Sequence, residues 1–146
     1  MYSSIAATRK ALHSGTTVLS IVEHFLKEID NRKELNAFLE VFSTTARSEA
    51  LRIDQKIKDG TAGNLAGVVI GIKDNICYKD HRVSASSKIL EGFESLYTAT
   101  ALQRLLDQDA LVIGRLNCDE FAMGSSNETS AFGPVKNNHN LKYVPG

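Results

Sequence analysis

Lys73 is the residue of this sequence with the clearest potential for chemistry. It directly follows residues 68–72, an apolar, mostly β-branched run that predicts a strand buried on both faces. In open α/β sheets, ligands gather at the carboxyl ends of strands. Partial desolvation at such a place turns a lysine amine into a usable general base. Position alone favours the plainer alternative, a lysine that leaves the strand and extends its ammonium into water.

Polar residues follow at once and recur ten residues later. Asp74 and Asn75 are predicted to fix the turn out of the strand through hydrogen bonds to nearby backbone, which is a structural role. Ser84, Ser86 and Ser87 lie in the next predicted loop. A nucleophilic serine needs a base within hydrogen-bond reach, and the sequence leaves open whether one lies near these three.

Residues 119–134 form the most unusual segment. They combine a run of hydroxyl and amide side chains with Gly124, where the backbone can approach another group closely. Such a loop could line a substrate pocket, and the alternative is a solvated surface loop. Phe121, Met123 and Phe132 argue against full solvation, because large apolar side chains need a place to pack.

The elements that must position these residues follow from hydrophobic periodicity and from capping residues. Four helices are predicted. They run from Ser3 or Ser4 to near His13, from Val18 to Asn31, from Ser43 or Thr44 to near Asp59, and from Thr98 or Thr100 to near Gln108. Short strands are predicted at residues 35–42, 68–72 and 110–113, with one helical turn at 119–123. The succession of strand, helix and strand in the second half indicates a βαβ crossover and an α/β fold.

The composition is typical of a soluble globular domain and excludes several classes of protein. The 146 residues carry 17 Lys+Arg and 17 Asp+Glu, so no electrostatic footprint points to direct nucleic-acid binding. No apolar run approaches the ~20 residues of a membrane helix, and no secretory signal is recognisable. We therefore expect a cytoplasmic protein with no membrane partner.

No cofactor or metal motif is present. Cys77 and Cys118 lack metal-ligand spacing and are expected to be reduced, and the four histidines are scattered. Ile72 occupies the place where a phosphate-binding loop ending at Lys73 would need glycine. The sequence thus predicts that this chain holds no metal and no nucleotide itself.

Five short runs resemble the amidase signature family in their order and spacing. They are residues 71–76, 84–90, 117–126, 130–134 and 144–146. The run Asp-Glu-Phe-Ala-Met-Gly-Ser-Ser at 119–126 is highly specific, and Lys-Asp-Asn at 73–75 is moderately so. Within the family, the chain looks most like the A subunits of glutamyl-tRNA(Gln) and aspartyl-tRNA(Asn) amidotransferases.

The resemblance implies hydrolysis of a carboxamide by a Ser–cis-Ser–Lys triad. Lys73 matches the lysine, which draws a proton through the middle serine from the nucleophilic serine. Met123 and Gly124 would border the substrate pocket, and Ser125 would contribute a contact. In the family both serines lie in a Gly-Gly-Ser-Ser-Gly-Gly-Ser stretch that directly follows Val-Pro-Gly, which is where this sequence stops. We therefore expect a fragment of a longer protein, inactive on its own.

The resemblance also implies an architecture and partners. Residues 1–146 would be the N-terminal portion of one amidase-signature domain, helical over 1–60 and beginning the α/β sheet region over 61–146. Its fold would be α/β, with N-terminal helices followed by the first strands of a mixed sheet flanked by helices. Glutamine would be the substrate, and the ammonia would pass to a B subunit that uses ATP and Mg²⁺, in a complex with a small C subunit. This chain would meet tRNA only through that complex.

Some residues depart from the family pattern, and two other functions remain open. Asp109 stands where a glycine commonly ends the helix, and a left-handed conformation there suits aspartate only moderately. Asn138, His139, Asn140 and Tyr143 also differ from the usual residues, which puts fine substrate contacts in doubt. The first alternative is a stand-alone amidase of the same family that acts on another carboxamide. The second is a non-catalytic, truncated paralogue that serves as a binding module.

Overall fold

The computed structural model describes Tyr2 and residues 4–145, which contain four α-helices and three β-strands. The helices are α1 (Ile5–His13), α2 (Val18–Asn31), α3 (Ser43–Lys58) and α4 (Thr100–Leu106), and the strands are β1 (Phe38–Val41), β2 (Val69–Lys73) and β3 (Leu111–Leu116). Single turns of 3₁₀ helix occur at Lys33–Leu35, Lys88–Leu90 and Glu120–Ala122. None of the described helices is both long enough and apolar enough to cross a membrane.

Local capping explains where the first two helices begin. The Ser4 hydroxyl accepts the N–H of Ala7 at 3.1 Å, which makes Ser4 the N-cap of α1. Ser3, the other predicted cap, lies outside the described residues. The Thr17 hydroxyl accepts the N–H of Ser20 at 3.1 Å and caps α2 in the same way. The predicted bounds of α2 are confirmed, because both its cap and its apolar stripe are local features of the sequence.

The three strands form a mixed sheet in the order β1-β3-β2. β1 and β3 are antiparallel, with an irregularity in register between Phe38 and Glu40. Hydrogen bonds join Leu111 to residue 68 at one end of β3 and join Asp74 to Leu116 at the other, so β2 and β3 run parallel. The predicted α/β class with a mixed sheet is confirmed.

Burial along the strands differs from the prediction. In β2 only Ile72 is buried, and Gly71 and Lys73 are exposed, because β2 lies at an edge of the three-stranded sheet that the structure describes. The central strand β3 is instead buried from Leu111 to Arg115 and extends beyond the predicted 110–113. On α4, Leu102 is buried, whereas the Leu105 side chain is exposed.

The chain divides into two compact units. The first contains the described residues up to Asn31 together with Phe42–Ile70 and Gln103–Ile113. Helices α2 and α3 pack together in its core, and their buried side chains are Val18, Ile21, Val22, Ala46, Ala50 and Ile53. Burying such side chains is the main stabilising contribution in a unit of this kind.

The second unit contains Arg32–Val41, Gly71–Leu102 and the described residues from Gly114 on. Loops dominate it, and many of its buried side chains are polar, among them Asp74, Ser84, Ser86 and Asn127. Buried polar groups require hydrogen-bond partners, so this unit is held largely by a polar network. All four residues predicted to act at the site lie in this unit. The assignment of residues 1–146 to one domain stays a prediction.

Candidate active site

Lys73, the predicted base, is the last residue of β2, and its side chain is exposed. Within the described residues its ammonium has no hydrogen bond and no ion pair. Its carbonyl accepts the N–H of Ile76 at 2.8 Å, which closes a turn directly after the strand. The desolvation expected at the end of a buried strand is therefore absent from the described part of the chain, because β2 is an edge strand there.

Asp74 is fully buried and accepts a dense set of hydrogen bonds. Its carboxylate accepts the N–H of Ser84 at 3.0 Å, the hydroxyl of Ser84 at 2.6 Å and the N–H of Ser86 at 2.6 Å. The Arg115 guanidinium also donates to it, so the buried charge is paired. The predicted structural role of Asp74 is confirmed, although its partners lie 10, 12 and 41 residues away rather than in the adjacent turn.

The loop that Asp74 holds connects the end of β2 to the 119–134 segment. The N–H of Ala85 donates to the Asp74 carbonyl at 2.9 Å, and the Ala85 carbonyl accepts the N–H of Phe121 at 2.8 Å. The carbonyl of Ser86 accepts the N–H of Ala131 at 2.9 Å. Three stretches that stand apart in the sequence are thus joined by main-chain hydrogen bonds.

The three serines of this loop are buried and hold it in place. Ser84 donates to Asp74, and Ser87 donates to the Glu120 carboxylate at 2.6 Å. Ser86 is buried completely, and its hydroxyl accepts the N–H of residue 118 at 3.1 Å. Carboxylates therefore do lie within reach of two serines. Burial and these bonds make the serines structural, because a nucleophile must reach its substrate.

Met123, Gly124 and Ser125, the predicted substrate contacts, are all exposed, Met123 to 80%. A Cβ atom on Gly124 would overlap the carboxylate of Asp119. A side chain at this position would have to displace the Asp119 carboxylate, which occupies that space. The close approach that the sequence suggested at Gly124 is therefore made to a group of the chain itself.

Polar side chains, rather than apolar ones, anchor the 119–134 segment. The Asp119 carboxylate accepts the N–H of Asn127 at 3.0 Å and the hydroxyl of Thr129 at 2.9 Å. Phe121 and Phe132 are both exposed, like Met123. The expectation that these apolar side chains pack is not met within the described residues, and the segment is ordered by hydrogen bonds instead.

Sequence reasoning assigned no role to two further residues of this network. The Arg115 side chain is 9% exposed and contacts Asp74 and the Glu40 carboxylate, the latter at 3.4 Å. The Asn117 side chain accepts the hydroxyl of Ser130 at 2.6 Å and donates to the Gly133 carbonyl at 2.8 Å. An arginine inside an otherwise apolar strand was the available signal for the first. Nothing local pointed to the second.

The described residues of this site provide no metal-binding cluster, and the Cys77 thiol is hydrogen-bonded to a tyrosine. Tyr2 and residues 4–145 contain no group of three or more His, Cys, Asp or Glu side chains that could hold a metal ion. Cys77 is half-buried, and a hydrogen bond with its thiol raises the pKa of the exposed Tyr97 hydroxyl. The expectation that the chain needs no cofactor stays a prediction.

Comparison with known proteins identifies the family to which this chain belongs. Residues 20–146 match the family model described as Amidase. This match covers most of the chain, which therefore belongs to the amidase family, as the motifs predict. Among its relatives is the A subunit of glutamyl-tRNA(Gln) amidotransferase from Salinibacter ruber (strain DSM 13855 / M31), 48% identical over 147 residues. That alignment covers 99% of this chain and 29% of the relative, so the chain spans less than a third of the relative's length.

Solved structures show the same fold. The native peptide amidase from Stenotrophomonas maltophilia superimposes with a TM-score of 0.87 at 27% identity, over 98% of this chain and 31% of that one. The A subunit of glutamyl-tRNA(Gln) amidotransferase from Thermotoga maritima gives a TM-score of 0.68 at 28% identity, over 90% of this chain and 29% of that one. The roles assigned to Lys73, Met123, Gly124 and Ser125 stay predictions.

Proposed function

We propose that this chain is the N-terminal part of the glutamine-hydrolysing subunit of a tRNA-dependent amidotransferase. The observation that carries the proposal is the 48% identity, over 99% of the chain, to the A subunit of a glutamyl-tRNA(Gln) amidotransferase. The geometry supports it, because hydrogen bonds tie the strand end that carries Lys73 to the loop that carries Met123, Gly124 and Ser125. A base and the loop that contacts the substrate must keep a fixed position relative to each other for the reaction to be fast.

In this proposal Lys73 acts as the base of a serine triad. Its amine takes a proton through the middle serine from the nucleophilic serine, whose oxygen then attacks the carboxamide carbon of glutamine. Ammonia leaves with a proton returned along the same path, and water hydrolyses the acyl-enzyme to glutamate. The exposed Lys73 side chain is free to reach such a serine. Both serines would come from the family segment that has no counterpart in these 146 residues.

The released ammonia would serve a second reaction on a partner. A B subunit would use ATP and Mg²⁺ to activate the carboxylate of Glu-tRNA(Gln) or Asp-tRNA(Asn), and ammonia would convert it to the amide. A small C subunit would complete this cytoplasmic complex. The equal numbers of acidic and basic residues in this chain agree with contact to tRNA only through the complex.

The decisive test is the Lys73→Ala variant of the complete enzyme, meaning this segment joined to the serine-bearing remainder of the domain. Ammonia release from glutamine is expected to fall by about 10²–10⁴-fold, the usual contribution of a general base. Lys79→Ala is the matched control, since it removes another exposed lysine of the same unit and should leave the rate unchanged. Full activity of Lys73→Ala would rule out the proposed mechanism. The 146-residue polypeptide by itself should release no ammonia.

A stand-alone amidase of the same family is the second candidate. The observation in its favour is the TM-score of 0.87 to the peptide amidase, above the 0.68 to the amidotransferase protein. Co-purification with a B subunit supports the amidotransferase. Efficient hydrolysis of peptide amides but not of glutamine, without such a partner, supports the amidase.

A further inference from the structure

We propose that Asp74 is a positioning residue for Lys73. Its buried carboxylate locks the end of β2 to the loops that carry the predicted substrate contacts, and so directs the Lys73 amine relative to them. The inference deepens the proposed function and rests on it, because it takes Lys73 as the base.

The side chains of Lys73 and Asp74 leave the chain on opposite sides. Asp74 directly follows β2 and is still hydrogen-bonded to β3, since its N–H donates to the Leu116 carbonyl at 3.0 Å. Side chains of successive residues in an extended chain point to opposite sides. Asp74 is fully buried and Lys73 is exposed, as this alternation requires. Holding the Asp74 carboxylate in place therefore fixes the side of the strand from which Lys73 leaves.

Both oxygens of the Asp74 carboxylate are firmly held by hydrogen-bond donors. One oxygen accepts the N–H of Ser84 and faces the Arg115 guanidinium, and the other accepts the Ser84 hydroxyl and the Ser86 N–H. Hydrogen bonds to an ionised acceptor are short and strong, and these donors come from two different stretches of chain. An asparagine has the same shape but would direct its NH₂ group at one set of these donors, which leaves them without an acceptor.

The loops that Asp74 holds contain strained backbone. Ala85 and Ser86 adopt left-handed conformations (φ 48° and 51°), and so do Phe121 and Ala122 (φ 52° and 58°). The two pairs are linked by the hydrogen bond from Phe121 to Ala85. Side-chain-bearing residues keep such conformations only where their surroundings enforce them. The bonds to the Asp74 carboxylate enforce the first pair, and the link transmits that constraint to the loop of predicted substrate contacts.

The experiment compares Asp74→Asn with Asp80→Asn in the complete enzyme. Asp80 is an exposed carboxylate of the same unit, and its left-handed backbone (φ 61°) suits asparagine. For Asp74→Asn we expect kcat for glutamine hydrolysis, normalised to the folded fraction, to fall about 100-fold, the effect of misplacing a reacting group by roughly 1 Å. KM should change by a much smaller factor than kcat, because the Asp74 carboxylate orients the base directly and acts on the substrate loop only through the Ala85–Phe121 link. Asp80→Asn should match the wild type.

Each outcome decides the question. A folded Asp74→Asn enzyme that melts earlier but keeps the wild-type kcat shows a purely structural carboxylate and overturns the inference. If Asp74→Asn does not fold, Ser84→Ala removes a single hydrogen bond to the same carboxylate, and it should lower kcat by a smaller factor at wild-type KM. An unchanged kcat for Ser84→Ala would overturn the inference equally. Full activity of Lys73→Ala would instead show that the proposed function is at fault.

Discussion

Asp109→Asn tests whether a buried ion pair stabilises the first unit. The Asp109 side chain is 2% exposed, and both of its carboxylate oxygens accept from the Lys56 ammonium at 2.6 Å. The Gly63 N–H donates to it at 2.7 Å, and Arg52 lies at 3.3 Å. An asparagine side chain would keep an acceptor for Gly63 and would tolerate the left-handed backbone at this position (φ 63°). The substitution therefore removes the charge together with one acceptor oxygen, while the backbone and the bond from Gly63 are kept.

The expected loss is about 2 kcal/mol in the free energy of unfolding. A hydrogen bond to a charged group contributes about 1.5–3 kcal/mol, and breaking a fully buried pair costs about 3–5 kcal/mol. The Lys56 side chain is 33% exposed, so its ammonium regains water when its partner is lost, which places the cost in the lower range. For a chain of this length, 2 kcal/mol corresponds to a fall in Tm of roughly 4–8 °C.

The direction of the Asp109 pKa shift determines how the stability of the first unit changes with pH. Burial raises the pKa of the Asp109 carboxyl, but the hydrogen bonds from Lys56 and Gly63 and the Lys56 charge outweigh burial and hold that pKa below its ordinary value. A depressed pKa stabilises the fold above the pKa of the unfolded state, about 3.9, and this stabilisation is lost as the pH falls through the folded-state pKa. The stability gap between wild type and Asp109→Asn should thus be complete at about pH 6–7 and shrink below about pH 4.

Urea unfolding of the chain, followed by circular dichroism from about pH 3 to pH 7, measures this gap. Asp107→Asn is the matched control, because its carboxylate is exposed and, among the described residues, accepts only from Gln103 at 2.8 Å. It should stay within about 0.5 kcal/mol of wild type. A gap below about 0.5 kcal/mol at neutral pH for Asp109→Asn, or one that persists undiminished at about pH 3, would refute the reasoning.

Two further predictions concern a helix start and a close approach. Asp54 accepts the N–H groups of Val18 and Leu19 at 2.7 and 3.1 Å, so Asp54→Ala should destabilise the chain by about 1 kcal/mol in urea, and an unchanged midpoint would contradict this. Gly124→Ala must displace the Asp119 carboxylate, because the new Cβ would overlap it. Hydrogen exchange followed by mass spectrometry should show faster exchange in residues 125–130, and unaltered protection there would show that the loop accommodates a side chain.

The helices were predictable because their signals are local. The apolar stripe of α2 and the Thr17 cap lie within one stretch of sequence, and Asp59-Gly60 ends α3 as predicted. The burial of β2 was not predictable in the same way. An apolar run indicates a strand but not its place in the sheet, and that place is set by the pairing of β3 with both of its neighbours.

In the candidate site, too, the features with local signals were predictable and those that depend on long-range contacts were not. Lys73 stood out because it directly follows an apolar run, and the family motifs identified the loop of Met123 and Gly124. Arg115 received no role, because the value of a buried arginine depends on a carboxylate 41 residues away. Asp109 was recognised as unusual for a left-handed position, but its ion pair with α3 depends on a contact over 53 residues. Patterns within a single sequence do not reveal contacts between residues so far apart in the chain.

This difference bears on why a buried carboxylate follows the predicted base at all. Apolar packing could cover the end of β2 as well, and replacing a buried ion pair by apolar side chains is often neutral or stabilising. Apolar contacts are tolerant of angle, however, whereas a carboxylate with four donors defines the orientation of every group around it. Asp74 is bound by Ser84, Ser86 and Arg115, so the strand end is fixed in direction as well as in place. A lysine that must meet a proton donor at hydrogen-bond distance needs a fixed direction as much as a fixed place.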